Sequence, residues 1–131
     1  MRALIVEDNI EQAWQVRNAL SQKGIEADTC GTLNEATSMV LGKAYDLVVL
    51  DLFLPDGVTT SLSHLIRMRY PETSILGLTG KNVFSRGEHT DIMSVDYMLH
   101  KPVSPQDVGE IASYLAQSPP PESQPESCHP W

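Results

Sequence analysis

Short strand-like runs, most of them rich in branched apolar residues, alternate with helix-period segments along residues 1–116. The runs are Ala3–Val6, Glu26–Cys30, Leu47–Leu50, Ile75–Leu78 and Tyr97–His100. Each is brief and bounded by turn or acidic residues, so strands are predicted rather than buried helices. Leu47-Val48-Val49-Leu50 is continuously apolar, which suits a parallel-sheet strand covered on both faces. The β-α alternation, repeated five times, predicts an α/β fold, a doubly wound sandwich with right-handed crossovers. In such sheets chemistry gathers beyond the carboxyl ends of the strands.

The segments between the runs carry helix signals. Ile10–Lys23 places Ala13, Val16 and Leu20 on one face and is followed by Gly24, a left-handed terminator. Trp14 falls off that face, where it either packs along a neighbouring helix or anchors a partner. Thr32–Leu41 opens with a capping box, Thr32-x-x-Glu35, and runs into Gly42. Thr59–Arg69 carries Leu62, Leu65 and Ile66 at helical spacing and stops before Pro71. Ser104-Pro105-Gln106-Asp107 supplies an N-cap, a first-turn proline and an acid at the positive helix end, ahead of Val108, Ile111, Ala112 and Leu115. The weakest helix signal is Lys81–Val95, where Gly87, Thr90 and Ser94 dilute the preference and a short or mobile helix is expected. Five of the nine prolines fall in 117–131, a segment too polar to offset its ordering entropy by burial. A domain at 1–116 followed by a Pro-rich, disordered tail at 117–131 is therefore expected.

Four predicted strands end in chemically useful residues: Glu7-Asp8 after the first, Asp51 after the third, Thr79-Gly80 at the fourth and Lys101-Pro102 after the fifth. Three carboxylates at one edge repel one another unless a divalent cation neutralises them, and an all-oxygen site suits Mg²⁺ or Mn²⁺. An ammonium and a hydroxyl beside them complete a pocket for a tetrahedral anion, the layout that a phosphorylated carboxylate requires.

Composition removes several other classes. A formal charge of −8 argues against a nonspecific grip on nucleic acid or anionic membranes. No run approaches the ~20 apolar residues of a membrane span, and acid arrives at Glu7, too early for a signal peptide. A soluble, cytoplasmic protein is expected. Cys30 and Cys128 make neither a disulfide framework nor a cysteine zinc site.

Taken in order, Ile5-Val6-Glu7-Asp8-Asn9, Leu47 to Pro55, Leu78-Thr79-Gly80 and His100-Lys101-Pro102 resemble the receiver domain of two-component response regulators, over residues 1 to about 116. The resemblance implies a flavodoxin-like five-stranded parallel sheet in the order 2-1-3-4-5. It implies that Asp51 accepts a phosphoryl group from a histidine kinase or a histidine phosphotransfer protein. Glu7 (through water), Asp8, Asp51 and the Phe53 carbonyl would arrange Mg²⁺. Thr79 and Lys101 would contact the phosphoryl group, and Lys101–Pro102 would be a cis peptide. The implied activity is Mg²⁺-dependent self-phosphorylation and autodephosphorylation only, in a stand-alone, chemotaxis-regulator-like receiver that signals to a downstream protein by contact or relays phosphate.

Other readings of the same residues are weaker. An Asp after an apolar strand is commonly a helix cap, and Glu7-Asp8 could be charges at a helix start. A haloacid-dehalogenase-type phosphatase needs a second Asp two residues after the first, where this chain has Phe53. A scaffolding pseudo-receiver would not need Asp51, Thr79 and Lys101 together. His100 alternates to the face opposite Lys101, and His64, His89 and His129 show no ligand spacing. Met39, Met68, Met93 and Met98 are read as packing residues. The chain departs from the family pattern in three places: Met98 three residues before Lys101 where Tyr or Phe is usual, Thr59 where Gly is usual, and Ser94-Val95 for Gly-Ala. The loop after the third strand and the face comprising the fourth helix and fifth strand are therefore expected to be atypical.

Overall fold

Residues 47–51 form the centre of the molecule, and every one of them is buried. The computed structural model describes residues 1–80 and 94–117. The elements in chain order are β1 (Arg2–Val6), α1 (Ile10–Gln22), β2 (Glu26–Cys30), α2 (Leu33–Gly42), β3 (Leu47–Asp51), β4 (Phe53–Leu54), β5 (Gly57–Val58), α3 (Thr60–Arg69), β6 (Ser74–Thr79), β7 (Tyr97–His100) and α4 (Pro105–Gln117). Five strands form one sheet in the order β2-β1-β3-β6-β7, each pair parallel. Counted within that sheet, this is the expected 2-1-3-4-5 order.

Alternation along the strands sorts the core into two halves. Leu4, Val6, Val48 and Leu50 pack with Ala36, Val40, Leu62 and Ile66 of α2 and α3. Ala3, Ile5, Leu47 and Val49 face the other way, onto Ala13, Val16 and Leu20 of α1 and Val108 and Ala112 of α4. Both faces are covered, which is why these strands read as unbroken apolar runs. Each fully buried Leu or Ile contributes about 1.5–3 kcal/mol of transfer free energy.

The helix ends follow the local chemistry closely. Asn9 Oδ1 accepts from the Gln12 N–H at 3.0 Å, and Gly24 has φ +79°, the left-handed conformation expected of it. Thr32 Oγ accepts from the Glu35 N–H at 3.1 Å, but the Glu35 carboxylate reaches back to the Gly31 N–H at 3.1 Å. The expected capping box is thus displaced by one residue on its return arm. Ser104 Oγ accepts from the Asp107 N–H at 3.2 Å, as its N-cap reading requires.

The loop after β3, expected to be atypical at Thr59, holds a small antiparallel hairpin that the sequence reading did not include, β4 with β5, turning at Pro55-Asp56. Helix α3 starts at Thr60 rather than Thr59, whose buried hydroxyl donates back to the Asp51 carbonyl at 3.2 Å. Met68 is 82% exposed, so it is not a packing residue, whereas Met39 and Met98 do pack against the core. The segment expected to be a weak helix lies outside the described residues from 81 to 93, as does the tail from 118. Helix α4 itself runs to Gln117, one residue beyond the expected boundary.

Candidate functional site at the carboxyl edge

Because the strands are parallel, they deliver their carboxyl-terminal residues to one edge. Glu7 follows β1, Asp51 ends β3, Thr79 ends β6 and Lys101 follows β7. Registers Val6↔Leu50, Asp51↔Leu78 and Thr79↔His100 set their levels along the edge. Glu7, Asp51 and Thr79 are buried and Asp8 is exposed.

Side-chain contacts join most of the residues picked from the sequence. The Lys101 ammonium lies 2.9 Å from Glu7 Oε1 and 2.9 Å from Asp51 Oδ2. The second oxygen of each carboxylate is held by backbone: Glu7 Oε2 accepts from the Asn9 N–H at 3.1 Å, and Asp51 Oδ1 from the Phe53 N–H at 3.1 Å. Glu7, Asp8 and Asp51 each place an oxygen within 4.8 Å of the others. Thr79 joins through its backbone, its carbonyl accepting from the Lys101 N–H at 2.7 Å. The Lys101–Pro102 peptide is cis.

The electrostatics are unbalanced. Burial pushes the Glu7 carboxyl above its ordinary value, outweighing the hydrogen bonds from Lys101 and Asn9 that favour its charged form. Burial alone would lower Lys101, but its hydrogen bonds to Glu7 and Asp51 raise it, so the ammonium stays charged. Three carboxylates meet one ammonium there. The donor set is oxygen only, part buried and part exposed, and it fits a small hard cation that keeps several waters. Glu7, Asp8 and Asp51 are the side chains that could hold Mg²⁺, with Phe53 two residues past Asp51.

The departures from the family pattern have structural accounts. Met98 stands beside Gly77, where a Cβ would lie 3.2 Å from its Sδ, so the small residue at 77 makes room for the thioether. Tyr97 is exposed on the opposite side of β7. Ser94 adopts φ 56°, a left-handed conformation that glycine takes without cost, and its carbonyl accepts from the Arg67 guanidinium at 3.2 Å. Trp14 is 56% exposed, with the Arg17 guanidinium of its own helix 5.6 Å from its ring centroid.

Sequence reasoning missed Asn9 and Asp56. Asn9 was legible as an N-cap before Ile10. Pro55-Asp56-Gly57 is a turn signature, but nothing local says that Asp56 reaches α2.

Residues 3–113 match the response regulator receiver domain family, and the chain belongs to it. The chain is 31% identical over 106 residues to a probable transcriptional regulatory protein, y4xI, of Sinorhizobium fredii, covering 79% of this chain and 45% of that one. It is 27% identical over 122 residues to the photosynthetic apparatus regulatory protein RegA of Rhodobacter capsulatus, covering 92% and 66%. It is 30% identical over 107 residues to the aerobic respiration control sensor protein ArcB of Escherichia coli, covering 79% and 14%. This chain therefore spans less than two thirds of each of these relatives. Among solved structures, the non-phosphorylated HemR receiver domain of Leptospira biflexa superposes with a TM-score of 0.80 at 25% identity, over 92% of this chain and 97% of that one. Chemotaxis response regulator CheY4 of Vibrio cholerae shares the fold, with a TM-score of 0.77 at 22% identity over 87% and 97%. The protein is thus a receiver domain of the two-component response regulator class, a family that works with histidine kinases or phosphotransfer proteins and binds Mg²⁺ through acidic residues. Among the described residues no helix is long and apolar enough to cross a membrane.

Proposed function

We propose that this receiver, residues 1–116, takes a phosphoryl group on Asp51 from a histidine kinase or histidine phosphotransfer protein. It then signals by protein contact or passes the phosphate on, in the cytoplasm. The carrying observation is the buried Asp51 carboxylate, fixed by the Phe53 N–H on one oxygen and by Lys101 on the other, with Glu7 and Asp8 alongside. In the transfer a P–N bond to the donor histidine breaks and a P–O bond to an Asp51 oxygen forms. Negative charge spreads over the three equatorial oxygens, so positioning and charge stabilisation matter more than proton transfer. Lys101 leaves its ion pair with Asp51 to contact a phosphoryl oxygen. Thr79, at the end of β6, donates its hydroxyl to another. Mg²⁺ held by Glu7 (through water), Asp8, Asp51 and the Phe53 carbonyl would supply the remaining charge neutralisation.

The test is incubation with acetyl phosphate and Mg²⁺, followed by mass spectrometric location of the added phosphate. One phosphate on Asp51 is the expected result, and Asp51→Asn should take up none. That variant should be as stable as the parent without metal, or more so, because it removes one of three crowded carboxylates. Phosphate on a different residue, or a parent chain that takes none, would contradict the reading.

A further inference from the structure

The hairpin between the acceptor strand and α3 is tied at both ends by side chains outside the acceptor chemistry. At its tip, Asp56 Oδ1 accepts from the Leu33 N–H at 2.8 Å and Oδ2 from the Asn34 N–H at 3.2 Å. These are the first two amides of α2, which a helix leaves without intrahelical partners. Thr32 satisfies only the Glu35 amide, so Asp56 completes the cap from a distant part of the chain. At the base, Thr59 donates its hydroxyl to the Asp51 carbonyl at 3.2 Å and its N–H to the Leu52 carbonyl at 3.1 Å. Between these ties Phe53 pairs with Val58 and Leu54 with Gly57, and the Phe53 N–H donates to Asp51 Oδ1 at 3.1 Å. A continuous run of bonds links the start of α2 to the acceptor carboxylate.

We propose that Asp56 is a positioning residue: by forking onto the first two amides of α2 it fixes the hairpin, and through the Phe53 N–H it sets the orientation of the Asp51 carboxylate. The inference rests on the reading of Asp51 as phosphoacceptor. A carboxylate engaging two amides with separate oxygens fixes direction as well as distance, and such charge-assisted bonds are about twice as strong as neutral ones. The positive end of the helix favours the same charge. The Leu33 N–H, more than that of Asn34, holds the Asp56 carboxyl below its ordinary value, so the fork is intact at neutral pH. In-line transfer is sensitive to such placement, since a misplacement of about 1 Å can cost on the order of 10²-fold in rate.

The experiment compares the full chain with Asp56→Ala, Asp56→Asn and Thr32→Ala, the last removing a cap of α2 without touching the hairpin. Two quantities are read: hydrogen exchange of the Phe53 amide by NMR, and the rate of phosphate uptake from acetyl phosphate at saturating Mg²⁺. Asp56→Ala should speed Phe53 exchange and slow uptake by about tenfold, a fraction of the full misplacement penalty. Asp56→Asn, keeping one acceptor oxygen, should fall between, and it carries the comparison if the alanine variant fails to fold. Thr32→Ala should leave both quantities at parent values relative to its own loss of stability. The proposal is overturned if Asp56→Asn leaves Phe53 exchange unchanged, if exchange rises without slower uptake, or if Thr32→Ala reproduces both effects. A parent chain that takes no phosphate would defeat the acceptor reading separately, and Phe53 exchange would still decide whether Asp56 holds the hairpin.

Discussion

At the amino half of the sheet Asp28 accepts from the Tyr45 hydroxyl at 2.8 Å, the Arg2 guanidinium at 3.2 Å and the Lys43 ammonium at 3.3 Å. At the carboxyl edge Glu7 and Asp51 divide one ammonium between them, with Asp8 beside them. Asp96 repeats the first pattern: it takes the Arg67 guanidinium at 2.8 Å and the Ile75 N–H at 2.7 Å, while Arg67 also donates to the Pro71, Thr73 and Ser94 carbonyls. Both regions pair carboxylates with basic side chains, and charge balance separates them: Asp28 and Asp96 each have a cation of their own, whereas Glu7 and Asp51 share one. Asp28 is held below its ordinary value, first by the Tyr45 hydroxyl and then by Lys43, whereas burial holds Glu7 above its own. A carboxylate matched by its own cation leaves no local charge for a ligand to answer. Carboxylates that outnumber their cations form a site that a divalent cation can complete, and the fold carries their repulsion.

The largest test of that contrast short of phosphorylation is metal binding. Mg²⁺ that binds only the folded chain should stabilise it by about 2.7 kcal/mol at a hundred times its dissociation constant, read as a rise in melting temperature. Asp8→Ala should lose the rise, and Asp28→Asn should keep it. A response that follows Asp28 rather than Asp8 would reverse the assignment of the two regions.

Next comes the charge-matched side. Asp96→Ala leaves the Ile75 N–H and part of the Arg67 guanidinium without their acceptor, and should cost about 2 kcal/mol in chemical denaturation. It should leave the Mg²⁺ response intact. Ser94→Gly has a smaller effect of opposite sign. Relieving φ 56° should stabilise the fold by about 1 kcal/mol, and a loss of stability would show that Ser94 is held by more than its backbone.

The smallest effect is in pH, where the two regions should move in opposite directions. Asp28, with a lowered folded value, contributes stability that is present above its ordinary 3.8 and is lost as pH falls through the folded value. Glu7, with a raised folded value, favours the fold below its ordinary 4.5, and that contribution is lost as pH rises through the folded value. Stability curves from acid to neutral pH should therefore lose their acid fall in Asp28→Asn and their decline toward neutrality in Glu7→Gln. Parallel curves for all three proteins would remove the electrostatic distinction.

How much of this could be read from residues alone depends on range. The five sheet strands and the Asn9, Gly24, Thr32 and Ser104 helix ends are local matters of periodicity and capping. The strand-end residues Glu7, Asp8, Asp51, Thr79 and Lys101 were legible because a parallel sheet must bring its carboxyl ends together. The hairpin after Asp51 was not, since two-residue strands have no period to detect. Asp56 escaped because its partners, Leu33 and Asn34, are remote in sequence, and Thr59 was read as a helix start and a departure from the family pattern, with nothing local to show its bond to the Asp51 carbonyl. Met68 shows the limit of residue type: an apolar side chain on a helix was read as packed, and the helix turns it to solvent.

The most direct test is a Mg²⁺ titration followed by backbone amide shifts. Saturable shifts at Glu7, Asp8, Asn9, Asp51, Phe53 and Lys101, with Asp28, Tyr45, Arg67 and Asp96 unmoved, are the expected result. Shifts centred on Asp28 or Asp96, or none that saturate at the carboxyl edge, would contradict the view that carboxylates outnumbering their cations make this edge the functional site.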